Sequence, residues 1–301
     1  MGKVLEELSA AVRTAVETVG PSVVGVGAGG SGAVVSAGVV VTNAHNLRGE
    51  ETVVTFADGR RETGRATGVD IDGDLAVVAV ETAGAPALEW GAAPAGVGDA
   101  VLGFANPGGR GLRASVGFVS AVDVAFRGPG GRKVGGALEH TAPLARGSSG
   151  GPLVDSAGKL VGIDTHRVGD GFYLAVPADE DLQRRVEALG RGEVPRRPRL
   201  GIAVAPRQVA QRLRRSVGLP DRDGILVRAV EEGGPAAAAG IRQGDLVVAV
   251  AGTPVGSVDE LASALEAARS GAPVELAVVR GVEELTVTVT IAPPGGGPEA
   301  G

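Results

Sequence analysis

The sequence predicts a mainly β protein of two domains, the first a barrel or sandwich of short strands and the second a smaller α/β unit. Three observations predict it. At 301 residues the chain is long enough for two cores. Its 51 glycines and 18 prolines cut it into short Val-rich runs rather than long helices. A Pro- and Arg-rich stretch, residues 191–199, separates two regions of different texture.

Taken in order, Val4, Leu5, Leu8, Val12, Val16 and Val19 recur at helical spacing, so residues 1–20 read as one amphipathic helix stopped by Gly20-Pro21. Residues 21–189 form the first domain. Its strand-like runs are 23–26, 33–36, 38–42, 52–56, 75–80, 100–104, 114–122 and 160–163, and a helical stretch at 179–189 ends at Gly190. Residues 190–199 read as a linker whose arginines form a solvated hinge. The second domain covers 200–292. It has strands at 224–230, 245–250, 274–279 and 285–291, and Ser257-Val-Asp-Glu260 is a capping box that opens a helix running to Arg269. Arg207, Arg212, Arg214 and Arg215 read as a solvated helix face. Residues 293–301 are too rich in Gly and Pro for an ordered element, and read as a disordered tail.

Composition narrows the chemistry. No cysteine is present, which excludes disulfides, thiol nucleophiles and thiolate zinc sites. A net charge of −6 argues against a nucleic-acid-binding surface. No apolar run is long enough for a signal peptide or an integral membrane segment, so the chain as given reads as cytoplasmic; removal of an export segment from a longer precursor would leave the same sequence, and an extracytoplasmic protein. No metal and no cofactor are expected.

The most informative stretch is Gly147-Ser148-Ser149-Gly150-Gly151-Pro152. A serine hydroxyl becomes a nucleophile when a base takes its proton, and a Gly-rich turn can aim backbone N–H groups at the developing oxyanion. These residues also fit the Gly-x-Ser-x-Gly elbow of α/β-hydrolases. That elbow requires a helix directly after the serine, with an acid and then a histidine later in the chain. Pro152 and the short run Leu153-Val154 contradict the helix, and His166 is the one downstream histidine. The order His, Asp, Ser fits instead. Val39-Val-Val-Thr-Asn-Ala-His45 brings a histidine on an apolar strand, and Asp74 directly precedes the apolar run Leu75-Ala-Val-Val. A carboxylate on the second ring nitrogen fixes the tautomer of such a base. Three strand-edge residues of this kind suit a cleft between two barrels. His140 and His166 read as wall or surface residues, and Asp70 and Asp72 as turn residues.

Thr42-Asn-Ala-His45, Asp74-Leu-Ala-Val and Gly147-Ser-Ser-Gly-Gly-Pro-Leu-Val154 resemble the three triad motifs of the HtrA (DegP/DegQ/DegS) serine proteases. Ala105-Asn-Pro-Gly108 and Ser115-Val-Gly-Phe-Val-Ser-Ala121 are similar to that family's connecting segments. The resemblance implies a chymotrypsin-like double β-barrel with His45, Asp74 and Ser149 as catalytic residues. It also implies an oxyanion hole from the N–H groups of Gly147, Ser148 and Ser149, and ATP-independent cleavage of unfolded or damaged proteins. Three positions depart from the family pattern: Ser148 stands where asparagine is usual, Arg146 where proline is usual before the motif's first glycine, and Thr141 where aspartate is common. The N-terminal aromatic residues that accompany trimers in the family are missing, which leaves a homotrimer as a possible rather than a required assembly.

Arg199-Leu-Gly-Ile202 resembles the carboxylate-binding loop of PDZ domains, which capture a peptide C-terminus by adding it as a strand. The resemblance implies that Leu200, Gly201, Ile202, Val204 and Leu265 bind the peptide. The expected function is therefore an HtrA-type endopeptidase acting on unfolded or misfolded proteins. The alternative is a protease-like PDZ scaffold or holdase chaperone with weak or latent catalysis.

Overall fold

The computed structural model describes residues 2–91, 94–128, 133–193, 199–205, 207–268 and 273–291. The middle of the expected linker, the expected tail and the helix end at Arg269 lie outside the described residues. The chain divides into two compact units, Met1–Pro195 and Arg196–Gly301.

The first unit opens with α1 (Gly2–Val19), whose Ala15 and Val19 are buried in the core while Val4, Leu5 and Leu8 are exposed. A 3₁₀ turn at Gly20–Ser22 ends it, with Pro21 at a position where no N–H is needed. Six strands follow: β1 (Val23–Val26), β2 (Gly30–Ser36), β3 (Val39–Thr42), β4 (Glu51–Thr55), β5 (Arg61–Asp70) and β6 (Leu75–Ala79). They close a barrel in the order β1-β2-β3-β6-β5-β4, with Val26 opposite Val54 at the seam. A second closed barrel is built from β7 (Ala100–Ala105), β8 (Arg113–Arg127), β9 (Lys133–His140), β10 (Pro152–Val154), β11 (Leu160–Gly169) and β12 (Phe172–Pro177). Its order is β10-β11-β12-β9-β8-β7. Closure removes the exposed strand edges that an open sheet of this size would present.

Alternation along the strands decides where the side chains go. Val24, Val26, Val34, Val40, Val54, Val78 and Val80 gather with Phe56 in one cluster. Their neighbours Val23, Ala33, Val41, Leu75 and Val77 turn into a larger cluster shared with Phe104, Leu160, Ile163 and Leu174 of the second barrel. The two barrels are thereby joined by apolar packing. Helix α2 (Glu180–Gly190) is capped by Asp179, which accepts the Leu182 N–H at 2.9 Å. It buries Leu182, Val186 and Leu189 in that shared cluster, and Arg185 pairs with the buried Asp70 at 3.0 Å. Asp70 is thus more than the turn residue expected of it.

The second unit comprises β13 (Ile202–Val204), α3 (Arg207–Ser216), β14 (Ile225–Val230), α4 (Pro235–Ala238), β15 (Leu246–Val250), β16 (Thr253–Pro254), α5 (Val258–Ala267), β17 (Pro273–Arg280) and β18 (Glu283–Thr290). Its sheet runs β13-β14-β15-β17-β18, with β16 pairing β15. The capping box at Ser257 forms in full, Ser257 and Glu260 each satisfying the other's backbone N–H. Burial pushes Asp245 up, but bonds from the Arg280 guanidinium and the Arg242 N–H outweigh it and hold its carboxyl below the usual range.

Four strands of the barrels, β5, β9, β10 and β12, are absent from the expected runs, and β8 and β11 extend well past theirs. Arg214 requires a correction: Arg207, Arg212 and Arg215 are exposed on α3, but Arg214 turns inward, with Nε on the Pro220 carbonyl at 3.3 Å. No helix among the described residues is long and apolar enough to cross a membrane.

Phe104 is fully buried in the shared cluster, in a chain with few aromatics to replace it. Phe104→Ala is expected to cost about 3–5 kcal/mol, read as a drop in the urea midpoint with little change in slope.

Candidate active site

Strand β3 ends at Thr42, and a 3₁₀ turn at Ala44–Asn46 swings His45 out of the barrel wall. The β5–β6 hairpin delivers the acid. Its four-residue loop, Ile71 to Asp74, closes with Asp74 in the left-handed region at φ 49° and its N–H on the Ile71 carbonyl at 3.3 Å. Asp74 has no solvent exposure. An ionised carboxylate there needs donors, and three reach it. His45 Nδ1 lies 2.8 Å from Oδ2 and 2.9 Å from Oδ1, the His45 backbone N–H reaches Oδ1 at 3.2 Å, and the Thr165 hydroxyl donates to Oδ2 at 2.8 Å. The Asn43 amide holds the Asp74 carbonyl at 2.8 Å.

Ser149 comes from the loop between β9 and β10. Its carbonyl accepts the Ser31 N–H at 3.0 Å and the Asn46 amide at 2.9 Å, so the first barrel holds it from two sides. Ser31 Oγ donates to the Gly147 carbonyl at 2.8 Å. Gly150, at φ 89°, permits this closeness: a Cβ there would stand 2.2 Å from the Ser31 carbonyl. The Ser149 hydroxyl donates to the Thr165 carbonyl at 2.8 Å, and no hydrogen bond joins it to His45. Within the loop, the Gly147 and Ser149 N–H groups make no hydrogen bond among the described residues, but the Ser148 N–H is donated to the Ala145 carbonyl at 3.2 Å. Of the three N–H groups expected to act as oxyanion donors, that of Ser148 is thus donated within its own turn.

A cavity of about 490 Å³ opens beside Ser149, lined by Leu144, Arg146, Asp164, His166 and Tyr173 among others. His166 stands in its wall, as the sequence suggested, half-buried against Phe126 and the edge of His45. Burial lowers its pKa and the nearby His45 adds to the lowering, while Asp74 pulls the other way. His140 is no wall or surface residue. It is fully buried and its Nε2 lies 3.0 Å from Asp164 Oδ1, also fully buried. Burial pushes Asp164 above the usual carboxylate value, against the bond and charge of His140. No group of three or more potential metal ligands exists among the described residues.

In the second unit, Leu200, Ile202, Val204 and Leu265 share one apolar cluster with residues of β14, β15, β17 and β18. Gly201 turns the preceding loop at φ 71°, its carbonyl accepting the Glu231 N–H at 2.8 Å. Ser31, Asn46 and Thr165 are the site residues that the sequence did not single out. Asn46 lay next to the quoted Thr42-Asn-Ala-His45 motif; Ser31 and Thr165 carry no local signal, since their partners are 118 and 91 residues away in sequence (149 − 31 and 165 − 74).

Residues 30–163 match the trypsin-like peptidase domain family and residues 198–291 the PDZ domain family. The chain is 35% identical over 281 residues to the putative serine protease HhoA of Synechocystis, covering 87% of this chain and 70% of that one. It is 31% identical over 274 residues to the serine endoprotease DegS of Escherichia coli K12, with 87% and 76% covered. A solved HtrA-type protease, AlgW with a tripeptide, superposes with a TM-score of 0.64 at 27% identity, over 93% of this chain and 96% of that one.

The His140–Asp164 pair gives a stability test. His140→Leu strands a buried carboxylate and is expected to cost about 3–5 kcal/mol, while the double change His140→Leu with Asp164→Leu recovers most of that loss. Urea unfolding of the two variants beside the parent checks it.

Proposed function

Because this chain belongs to the HtrA-type serine proteases, a trypsin-like peptidase domain followed by a PDZ domain, we propose that it is an ATP-independent endopeptidase of unfolded or damaged proteins. Ser149 attacks the peptide carbonyl, His45 takes its proton and returns it to the leaving amine, and Asp74 holds His45 in the required tautomer. The observation that carries this reading is the buried Asp74 carboxylate on His45 Nδ1 at 2.8 Å, in the cleft where the Ser149 loop is anchored. The Gly147 and Ser149 N–H groups, which make no hydrogen bond among the described residues, suit the developing oxyanion. We assign proteolysis to residues 21–189 and peptide capture to residues 200–292, with Leu200, Gly201, Ile202, Val204 and Leu265 taking a peptide terminus as an added strand on β13. The tripeptide accompanying AlgW supports a peptide ligand for this family.

One observation favours the second reading, a binding protein with latent catalysis: the Ser149 hydroxyl rests on the Thr165 carbonyl rather than on His45. The two readings differ in what Ser149→Ala removes. The protease reading expects casein hydrolysis to vanish in Ser149→Ala at matched concentration. The latent reading expects no hydrolysis by either protein, and suppression of aggregation by both.

At the peptide loop, Gly201→Val forces a branched residue into φ 71°, with its Cβ 2.9 Å from Glu231 Oε2. Fluorescence anisotropy should show an apolar peptide with a free C-terminus binding at least about ten-fold more weakly than to the parent. Its C-terminally amidated form should bind poorly to both.

A further inference from the structure

Hydrogen counting around Asp74 assigns a donor that the triad alone does not include. The Thr165 hydroxyl has one hydrogen. It lies 2.8 Å from Asp74 Oδ2 and 2.9 Å from His166 Nδ1. An ionised carboxylate only accepts, so the hydrogen goes to Asp74, and the His166 contact then needs a hydrogen from the ring. His166 therefore carries its proton on Nδ1 and donates to Thr165 Oγ1. His166 Nδ1 is 3.9 Å from Asp74 Oδ2, too far for a direct hydrogen bond, so its influence passes through the hydroxyl.

The ring is held for this task. Phe126 of β8 lies against it with centroids 5.0 Å apart, and the His45 ring meets it edge-on at 6.0 Å. Asp74 and His45 are the titratable groups whose charge acts on it, and the side chain is 36% exposed towards the cleft.

We propose that His166 is a positioning residue for the triad: by donating to Thr165 Oγ1 it turns that hydroxyl's hydrogen onto Asp74 Oδ2 and so fixes the carboxylate that orients His45. The four groups form one chain, His166 Nδ1–H to Thr165 Oγ1–H to Asp74 to His45 Nδ1–H. Without the His166 donor the hydroxyl is free to rotate, and Asp74 loses a fixed partner inside the protein.

This inference rests on the triad reading, and its test separates the two. His166→Leu removes the donor and keeps apolar bulk against Phe126; His166→Asn keeps an N–H near the place of Nδ1. With a fluorogenic peptide substrate, kcat is expected to fall about ten-fold in His166→Leu with KM little changed, and to recover in His166→Asn. In a Thr165→Val background, His166→Leu should lower kcat no further, since the intermediary is gone. A change in KM alone, or the same fall in kcat in both backgrounds, overturns the proposal and leaves His166 a wall residue. Proton NMR provides a readout that needs no turnover: the downfield His45 Nδ1–H resonance should move in His166→Leu and stay in place in His166→Asn. If the parent cleaves nothing, the protease reading fails while the resonance still decides the role of His166. An unmoved resonance in His166→Leu overturns the proposal.

Discussion

The burial of one carboxylate organises the first unit. Asp74 has no contact with solvent, and an ionised acid in such a place is tolerable only when its oxygens are saturated with donors. The first barrel alone supplies His45, through its ring and its backbone N–H. The remaining donor, Thr165, belongs to β11 of the second barrel. The two barrels must therefore approach closely enough for a hydroxyl to reach across, and the shared apolar cluster fixes that approach. The left-handed φ of Asp74 belongs to the same constraint, since the tight loop before β6 sets the acid where both barrels reach it. Polar satisfaction and apolar packing thus specify one arrangement of the barrels, the agreement between levels expected of a well-defined native state.

The same economy recurs with different partners. Asp70 sits at the base of the loop that carries Asp74 and is paired with Arg185 of α2, so the helix following the barrels braces the hairpin of the acid. Asp164 precedes Thr165 on β11 and is paired with His140 inside the second barrel. Asp164 pairs with His140 while Thr165, at a register shift of β11, reaches Asp74, so one strand anchors a buried His–Asp contact and the candidate triad together.

Strands built from apolar runs were legible in the sequence because composition alone marks them: β1, β3, β6 and β7 are almost entirely Val, Ala and Leu. β5 was not, because RETGRATGVD exposes one face and has glycine where apolar residues would normally signal the other. β9 contains Gly135-Gly136 and ends in Glu139-His140, a texture that reads as a turn. His45, Asp74 and Ser149 were singled out because each stands in a distinctive local stretch. Ser31, Thr165 and the burial of His140 were not, since each depends on a partner that only the closed barrels bring near. Arg214 shows the converse error. Among four neighbouring arginines it reads as one more solvated charge, and only the packing of α3 on its own sheet turns it inward.

Thr165 also links the acid to Ser149. Its side chain serves the acid and its carbonyl holds the Ser149 hydroxyl, so one residue touches both ends of the candidate triad. The Ser149 backbone is already fixed by Ser31 and Asn46 of the first barrel, and Gly150 by the Asp164 carbonyl at 2.7 Å. For the hydroxyl to serve His45 it must leave the Thr165 carbonyl, one neutral hydrogen bond exchanged for another. Such an exchange costs little, since a neutral hydrogen bond contributes only about 0.5–1.5 kcal/mol net. The backbone bonds to Ser31, Asn46 and Asp164 do not involve that hydroxyl, so the loop can stay anchored while the hydroxyl changes partner.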